Sequence, residues 1–147
     1  MQLTQQTDYA IRTLIYTAFH ADRLVNITEI AEFYAISRSH LTKIVAFLSE
    51  LGYLKSIRGK GGGLKLGKAP ESIPLGELIR ALESFTLVEC FGEKNQCVIR
   101  PQCEFKAILA EATRAFLAVL DHYTLADILL PSLPLNTIDL SQLTHLS

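Results

Sequence analysis

The sequence predicts a mainly α-helical winged helix-turn-helix with a small β-hairpin wing, followed by a long dimerisation helix. Three observations predict it. Two short segments with apolar stripes, 28–34 and 38–51, meet at Ala35-Ile36, and Ser37 is placed to cap the second. Two short alternating runs, 53–58 and 64–68, are joined by Gly59-Lys-Gly-Gly-Gly63. From Glu104 to about Tyr123, apolar residues recur every three or four positions, a stripe too long for so small a domain to cover alone.

Length and composition bound the rest. A chain of 147 residues, 49% apolar, can bury one ordinary core and is not disordered throughout. No apolar run approaches the roughly 18 residues of a membrane span. The start, Met-Gln-Leu-Thr-Gln-Gln-Thr-Asp, lacks the basic and apolar regions of a signal peptide, so a cytoplasmic location is expected. Thiols stay reduced there, and an odd count of three cysteines argues against a disulfide framework. The net charge of −1 hides an asymmetry: residues 34–68 carry seven Lys and Arg against Glu50 alone, a local +6, which leaves −7 for the remainder. A basic segment in an acidic chain is the footprint of a polyanion contact; a solvated basic face is the alternative.

In chain order, Thr7 to Phe19 reads as an amphipathic helix with Tyr9, Ile11, Leu14, Ile15, Ala18 and Phe19 on one face. Thr7 is its expected cap, and Asp8 falls in the first turn, where the helix dipole favours a carboxylate. Thr28 opens a short helix with Ile30, Ala31 and Phe33 inward. After the Ala35-Ile36 turn, a second helix buries Leu41, Ile44, Val45, Leu48 and Leu51, and Gly52 ends it. In a helix-turn-helix the first turn of the second helix faces base edges. Here that turn offers Arg38, Ser39, His40, Thr42 and Lys43, all hydrogen-bonding types, with Arg38 suited to guanine. An exposed polar face of any helical protein is the competing explanation. The hairpin that follows carries Lys55, Arg58, Lys60 and Lys65, as a wing lying along phosphates should. Its glycine tip is not a nucleotide-phosphate loop, because no capped helix and no Lys-Ser/Thr ending follow.

Pro74 should start a helix over 75–82 with Leu75, Leu78, Ile79 and Leu82 apolar. The long helix stripe is Phe105, Ile108, Leu109, Ala112, Phe116, Val119, Leu120 and Tyr123. Such a helix usually pairs with its copy; folding back on its own domain is the other option. Thr124 to Asp127 looks like a capping box for a short last helix. The expected division is 1–83 for DNA, 84–103 for a cysteine loop, 104–130 for dimerisation, and 131–147 as a mobile tail.

That loop holds every cysteine: Cys90, Cys97 and Cys103, with Gly92 and Pro101 favouring turns between them. Three thiols are one short of the four ligands of a structural zinc or an iron–sulfur cluster. The fourth must come from another residue, another chain or a small molecule. His20, His122 and His145 show no ligand spacing. No nucleophile–base pair or paired carboxylates suggest an enzyme.

Taken together, Thr7-Asp8-Tyr9-Ala10, the Ser37 to Ile44 helix start, Arg58 to Gly63 and the cysteine triplet resemble the Rrf-two (Rrf2) family of bacterial iron–sulfur transcription regulators. The resemblance covers about residues 1–130. Leu87-Val-Glu-Cys90, Pro101-Gln-Cys103 and Tyr123 to Asp127 are similar to its nitric-oxide-sensing branch. It implies a homodimeric repressor on a palindromic operator in double-stranded DNA, with nitric oxide as the signal. It also implies a [2Fe-2S] or [4Fe-4S] cluster on Cys90, Cys97 and Cys103, with Asp8 of the partner subunit as the fourth ligand. The branch that uses a histidine soon after the last cysteine fits poorly, since Glu104-Phe-Lys-Ala107 follows here. Two alternatives remain: an iron- or redox-status regulator using the same site, and a zinc-stapled winged-helix interaction module.

Overall fold

The structure, a computed structural model, describes residues 2–88, 91–92, 97–98 and 103–129. Its first helix, α1, spans Gln5–Phe19 and begins earlier than its apolar stripe suggests. The cap is Thr4, whose hydroxyl accepts from Thr7 N, while Asp8 keeps its place in the first turn. Thr7 is therefore not the cap but a buried residue. The face turned inward differs too: Thr7, Ala10, Thr13, Leu14, Tyr16 and Thr17 are buried, and Ile11 and Ile15 only half so. Threonine is tolerated there because Thr13 donates to Tyr9 O at 2.7 Å and Thr17 to Thr13 O at 2.8 Å. With the hydroxyls satisfied inside the helix, the methyls can pack.

Helix α2 covers Ile27–Tyr34 and is opened by Asn26 rather than Thr28, in a reciprocal capping box with Glu29. It ends on Ala35 in the left-handed region, at φ 54°, a conformation that costs an L-residue about 1–2 kcal/mol. Burial of Ile36 directly afterwards holds the turn. Ser37 then caps α3, Arg38–Glu50, which buries Leu41, Ile44, Val45 and Leu48, while Leu51 falls at the C-cap and is only half-buried. Gly52, at φ 76°, turns the chain out of the helix.

Strands β1 (Leu54–Ile57) and β2 (Gly63–Leu66) pair antiparallel, with Leu54 opposite Leu66 and Ser56 opposite Leu64. Two strands alone are marginal in water. Here Leu54 and Leu64 are buried, and Val25 exchanges backbone hydrogen bonds with Leu64 at 2.9 and 2.7 Å. The wing is thus anchored to the core at one edge.

A 3₁₀ turn at Pro70–Ser72 leads to α4, Leu75–Leu82, with Pro74 at the cap position rather than inside the helix. Helix α5, Glu104–Leu120, follows the cysteine segment. It buries no residue: Phe105, Ile108 and Val119 are 59%, 60% and 58% exposed. The chain then returns to the winged unit. Leu125 N donates to Ile73 O at 2.9 Å, and a second 3₁₀ turn, Leu125–Ile128, buries Leu125 completely behind the Thr124–Asp127 capping box. Among the described residues no helix is long and apolar enough to cross a membrane. The expected tail, 131–147, lies outside the described residues.

Candidate DNA-reading face and cysteine loop

Because α3 buries Leu41, Ile44, Val45 and Leu48, its first turn is left to present the residues between them. Arg38, Ser39, His40, Thr42 and Lys43 are all exposed. Two hydroxyls are committed locally: Ser39 shares a 2.8 Å hydrogen bond with Ser37, and Thr42 donates to Arg38 O at 2.9 Å. Their oxygens still have lone pairs to offer. The amino ends of α1 and α3 meet in a groove lined by Gln5, Gln6, Tyr9, His40 and Lys43. Gln5 and Gln6 were not singled out in the sequence, and Tyr9 was read as part of an apolar face, because only folding sets them beside α3.

The wing continues this surface with Lys55, Arg58, Lys60 and Lys65, again all exposed. Lys55 stands directly opposite Lys65 in the ladder, a like-charge pair that destabilises a sheet. The ion pairs among the described residues use Arg12, Arg23 and Arg80; none uses a cation of this face. Uncompensated cations on a pleated hairpin beside an exposed polar helix turn suit a polyanion. Gly59 and Gly61, at φ 103° and 79°, have open space where a side chain would stand. A backbone so bare can approach a phosphate closely.

The cysteine segment joins α4 to α5. Cys97 and Cys103 are both half-buried, and Cys103 is the cap residue of α5 without a side-chain capping bond. The positive end of the helix dipole there favours an anionic sulfur ligand. Cys90 lies outside the described residues. Sulfur donors suit iron–sulfur clusters and zinc alike, so the donor set fits either. Asp8 is exposed on α1 and holds Arg12 through Nε at 3.0 Å and Nη2 at 2.8 Å. Among the described residues, no three His, Cys, Asp or Glu side chains gather into a metal site. Asp8, Cys97 and Cys103 thus do not converge within one protomer.

One residue near this segment carried no signal in the sequence. Glu83, the C-cap of α4, accepts at Oε1 from Thr4 N (2.7 Å), Thr4 Oγ1 (2.9 Å) and Thr7 Oγ1 (2.5 Å). It clasps the end of α4, from which the cysteine segment departs, to the start of α1, which carries Asp8. Partial burial pushes the Glu83 carboxyl up, but the bonds from Thr7 and Thr4 outweigh it and hold the group below its ordinary 4.5. Arg12, besides holding Asp8, lies 5.7 Å from the centre of the Tyr34 ring. Burial raises the Tyr34 hydroxyl to about 12 despite that cation.

The chain resembles known proteins over most of its length. Residues 3–130 match the family model of Rrf2, an iron-dependent transcriptional regulator. The HTH-type transcriptional regulator NsrR of Bacillus licheniformis is 52% identical over 133 residues, spanning 88% of this chain and 93% of that protein. NsrR of Bacillus subtilis is also 52% identical, spanning 87% and 90%. Among solved structures, T. potens IscR superposes with a TM-score of 0.69 at 28% identity, over 88% of this chain and 86% of that one. The chain belongs to the Rrf2 family, and is a winged-helix, DNA-binding transcriptional regulator rather than an enzyme.

Proposed function

We propose that this chain is a cytoplasmic, homodimeric repressor that releases a palindromic operator when nitric oxide reacts at an iron–sulfur cluster. The observation that carries the reading is the 52% identity to two NsrR regulators over almost nine-tenths of the chain. In this reading residues 1–83 bind DNA, 84–103 carry the sensor and 104–130 pair the protomers. Arg38, Ser39, His40, Thr42 and Lys43 enter the major groove, and Arg58, Lys60 and Lys65 follow the phosphates.

Cys90, Cys97 and Cys103 would hold the cluster, which when bound supplies iron reactive toward nitric oxide. Asp8 of the partner subunit would complete the ligand set. A carboxylate is a harder donor than thiolate and holds iron less firmly, so this is the exchangeable position. In that role Asp8 ties the cysteine loop of one protomer to α1 of the other, and α1 packs on α3 within the same core. Loss of the tie frees α1 and alters the spacing of the two recognition helices, which lowers operator affinity.

The family's iron dependence favours one second reading, in which the same thiols report iron or redox status. Anaerobic purification, absorption spectra before and after nitric oxide or air, and operator gel shifts separate the two. The expected result is a brown protein that bleaches with nitric oxide and lets go of DNA, with Cys→Ala at 90, 97 or 103 removing colour and iron. A brown protein indifferent to nitric oxide but not to oxygen or iron moves the assignment to the second reading. A colourless protein containing zinc ends both.

A further inference from the structure

Helix α5 meets the winged unit near its carboxyl end. There Arg80 of α4 donates Nη1 to Asp121 Oδ1 and Nη2 to Asp121 Oδ2, at 2.5 and 2.6 Å. Gly76, one turn earlier on α4, faces the same carboxylate: a Cβ at that position would lie 1.9 Å from Asp121 Oδ1. Asp121 therefore occupies the space a side chain at 76 would need. Phe85 and Phe116 continue the contact, with ring centres 6.4 Å apart. As one strand of chain advances from 76 to 85, its partners on α5 step back from 121 to 116. Just beyond Asp121, the bonds from Leu75 N to Tyr123 O and from Leu125 N to Ile73 O, each 2.9 Å, tie the chain to the winged unit again. At the far end, Phe105 and Ile108 stay open to solvent.

The ion pair is poorly suited to a purely stabilising role. Both side chains are 42% exposed, and exposed pairs add little stability. What a bidentate guanidinium–carboxylate pair does supply is direction. The hydrogen bond from Arg80 also holds the Asp121 carboxyl below its ordinary range.

We propose that Gly76, Arg80 and Asp121 form a pivot that sets the angle at which α5 leaves the winged unit, and thereby the half-site spacing the dimer accepts on DNA. The inference rests on α5 pairing the protomers. It follows from leverage: 17 residues of α-helix make an arm about 25 Å long. A swing of about 10° at the pivot moves the far end by about 4 Å, more than the roughly 3.4 Å rise of one base pair. Two recognition helices must sit a fixed number of base pairs apart, so such a swing selects a different spacer.

The test uses anaerobically purified full-length protein. A half-site is first selected by the wild type from a randomised duplex library, then presented as inverted repeats with spacers changed by one and two base pairs. The wild type should discriminate the best spacer from its neighbours by about tenfold, the scale of a mismatched base pair. Arg80→Ala, and Gly76→Ala, which displaces Asp121, should reduce that to about threefold or less while remaining folded dimers. Arg80→Lys, which keeps the charge but offers one point of attachment, should fall between. Folded, dimeric variants with the wild-type spacer profile overturn the pivot. A wild type that sediments as a monomer at micromolar concentration overturns the pairing of α5 instead, and the pivot with it.

Discussion

At Glu83 a single carboxylate oxygen accepts from Thr4 N, Thr4 Oγ1 and Thr7 Oγ1, while Glu83 N caps α4 by donating to Ile79 O at 2.9 Å. Hydrogen bonds to a charged group contribute about 1.5–3 kcal/mol, reduced here by partial exposure. Glu83→Ala should therefore cost about 1–2 kcal/mol at pH 7, and Glu83→Gln less. The folded-state carboxyl lies below its ordinary 4.5, so the charged form is the one the fold favours. Its contribution is complete above the ordinary value and fades as pH falls through the lower folded value. Urea melts at pH 7 and pH 3.5 should show wild type and Glu83→Gln converging in acid. A constant difference between them would show that the clasp is not ionic. No local pattern announces this residue, since its partners lie 79 and 76 positions away. Thr7 looks like a cap in the sequence and is not one because α1 already begins at Gln5: Thr7 lies inside the first turn, and Thr4 holds the cap position.

The elements themselves were mostly legible, because each is announced by a local period. The helix-turn-helix shows in the stripes of α2 and α3, and the wing in two alternating runs around a glycine tip. The inward face of α1 was not, because buried threonines bonded to carbonyls four residues back look polar in a hydropathy pattern. For the site, exposure of the α3 turn and of the wing cations follows directly from which neighbours are apolar. The third thiol, Cys90, lies outside the described residues, so the ligand set remains a proposal read from the sequence. The wing makes a sharp prediction because Lys55 and Lys65 oppose each other across the ladder. Lys65→Gln should stabilise the hairpin by a few tenths of a kcal/mol, having removed a like-charge pair. The same change should weaken DNA binding for every sequence alike and lower the log–log salt slope by about one. Thermal melts and titrations across a salt series read the two effects separately. Unchanged affinity and slope would remove Lys65 from the phosphate contacts.

For the whole molecule, the decisive feature is a 17-residue helix on which no residue is buried. Its sequence carries an apolar stripe, yet Phe105, Ile108 and Val119 each remain about three-fifths exposed. Among the described residues the winged unit meets its last turns through Arg80, Phe85 and the segment from Tyr123. The members of that stripe that face water form the surface a second copy would cover under two-fold symmetry, where the same patch serves both sides. Ile108→Asp places a carboxylate on this face without touching the monomer's core, so the melting temperature of the winged unit should hardly move. Burying two such charges against each other is unfavourable by several kcal/mol, which raises the dimer dissociation constant by more than about tenfold. Operator binding should fall with it, because a dimer adds the contacts of two half-sites and a monomer keeps only one. Sedimentation at micromolar concentration, together with titration of a full inverted repeat and of a single half-site, distinguishes these effects. A variant that stays dimeric and keeps its preference for the full repeat would place the interface elsewhere. A variant that becomes monomeric, keeps half-site affinity and loses the full-repeat advantage would fix α5 as the element that turns two modest DNA contacts into one selective contact.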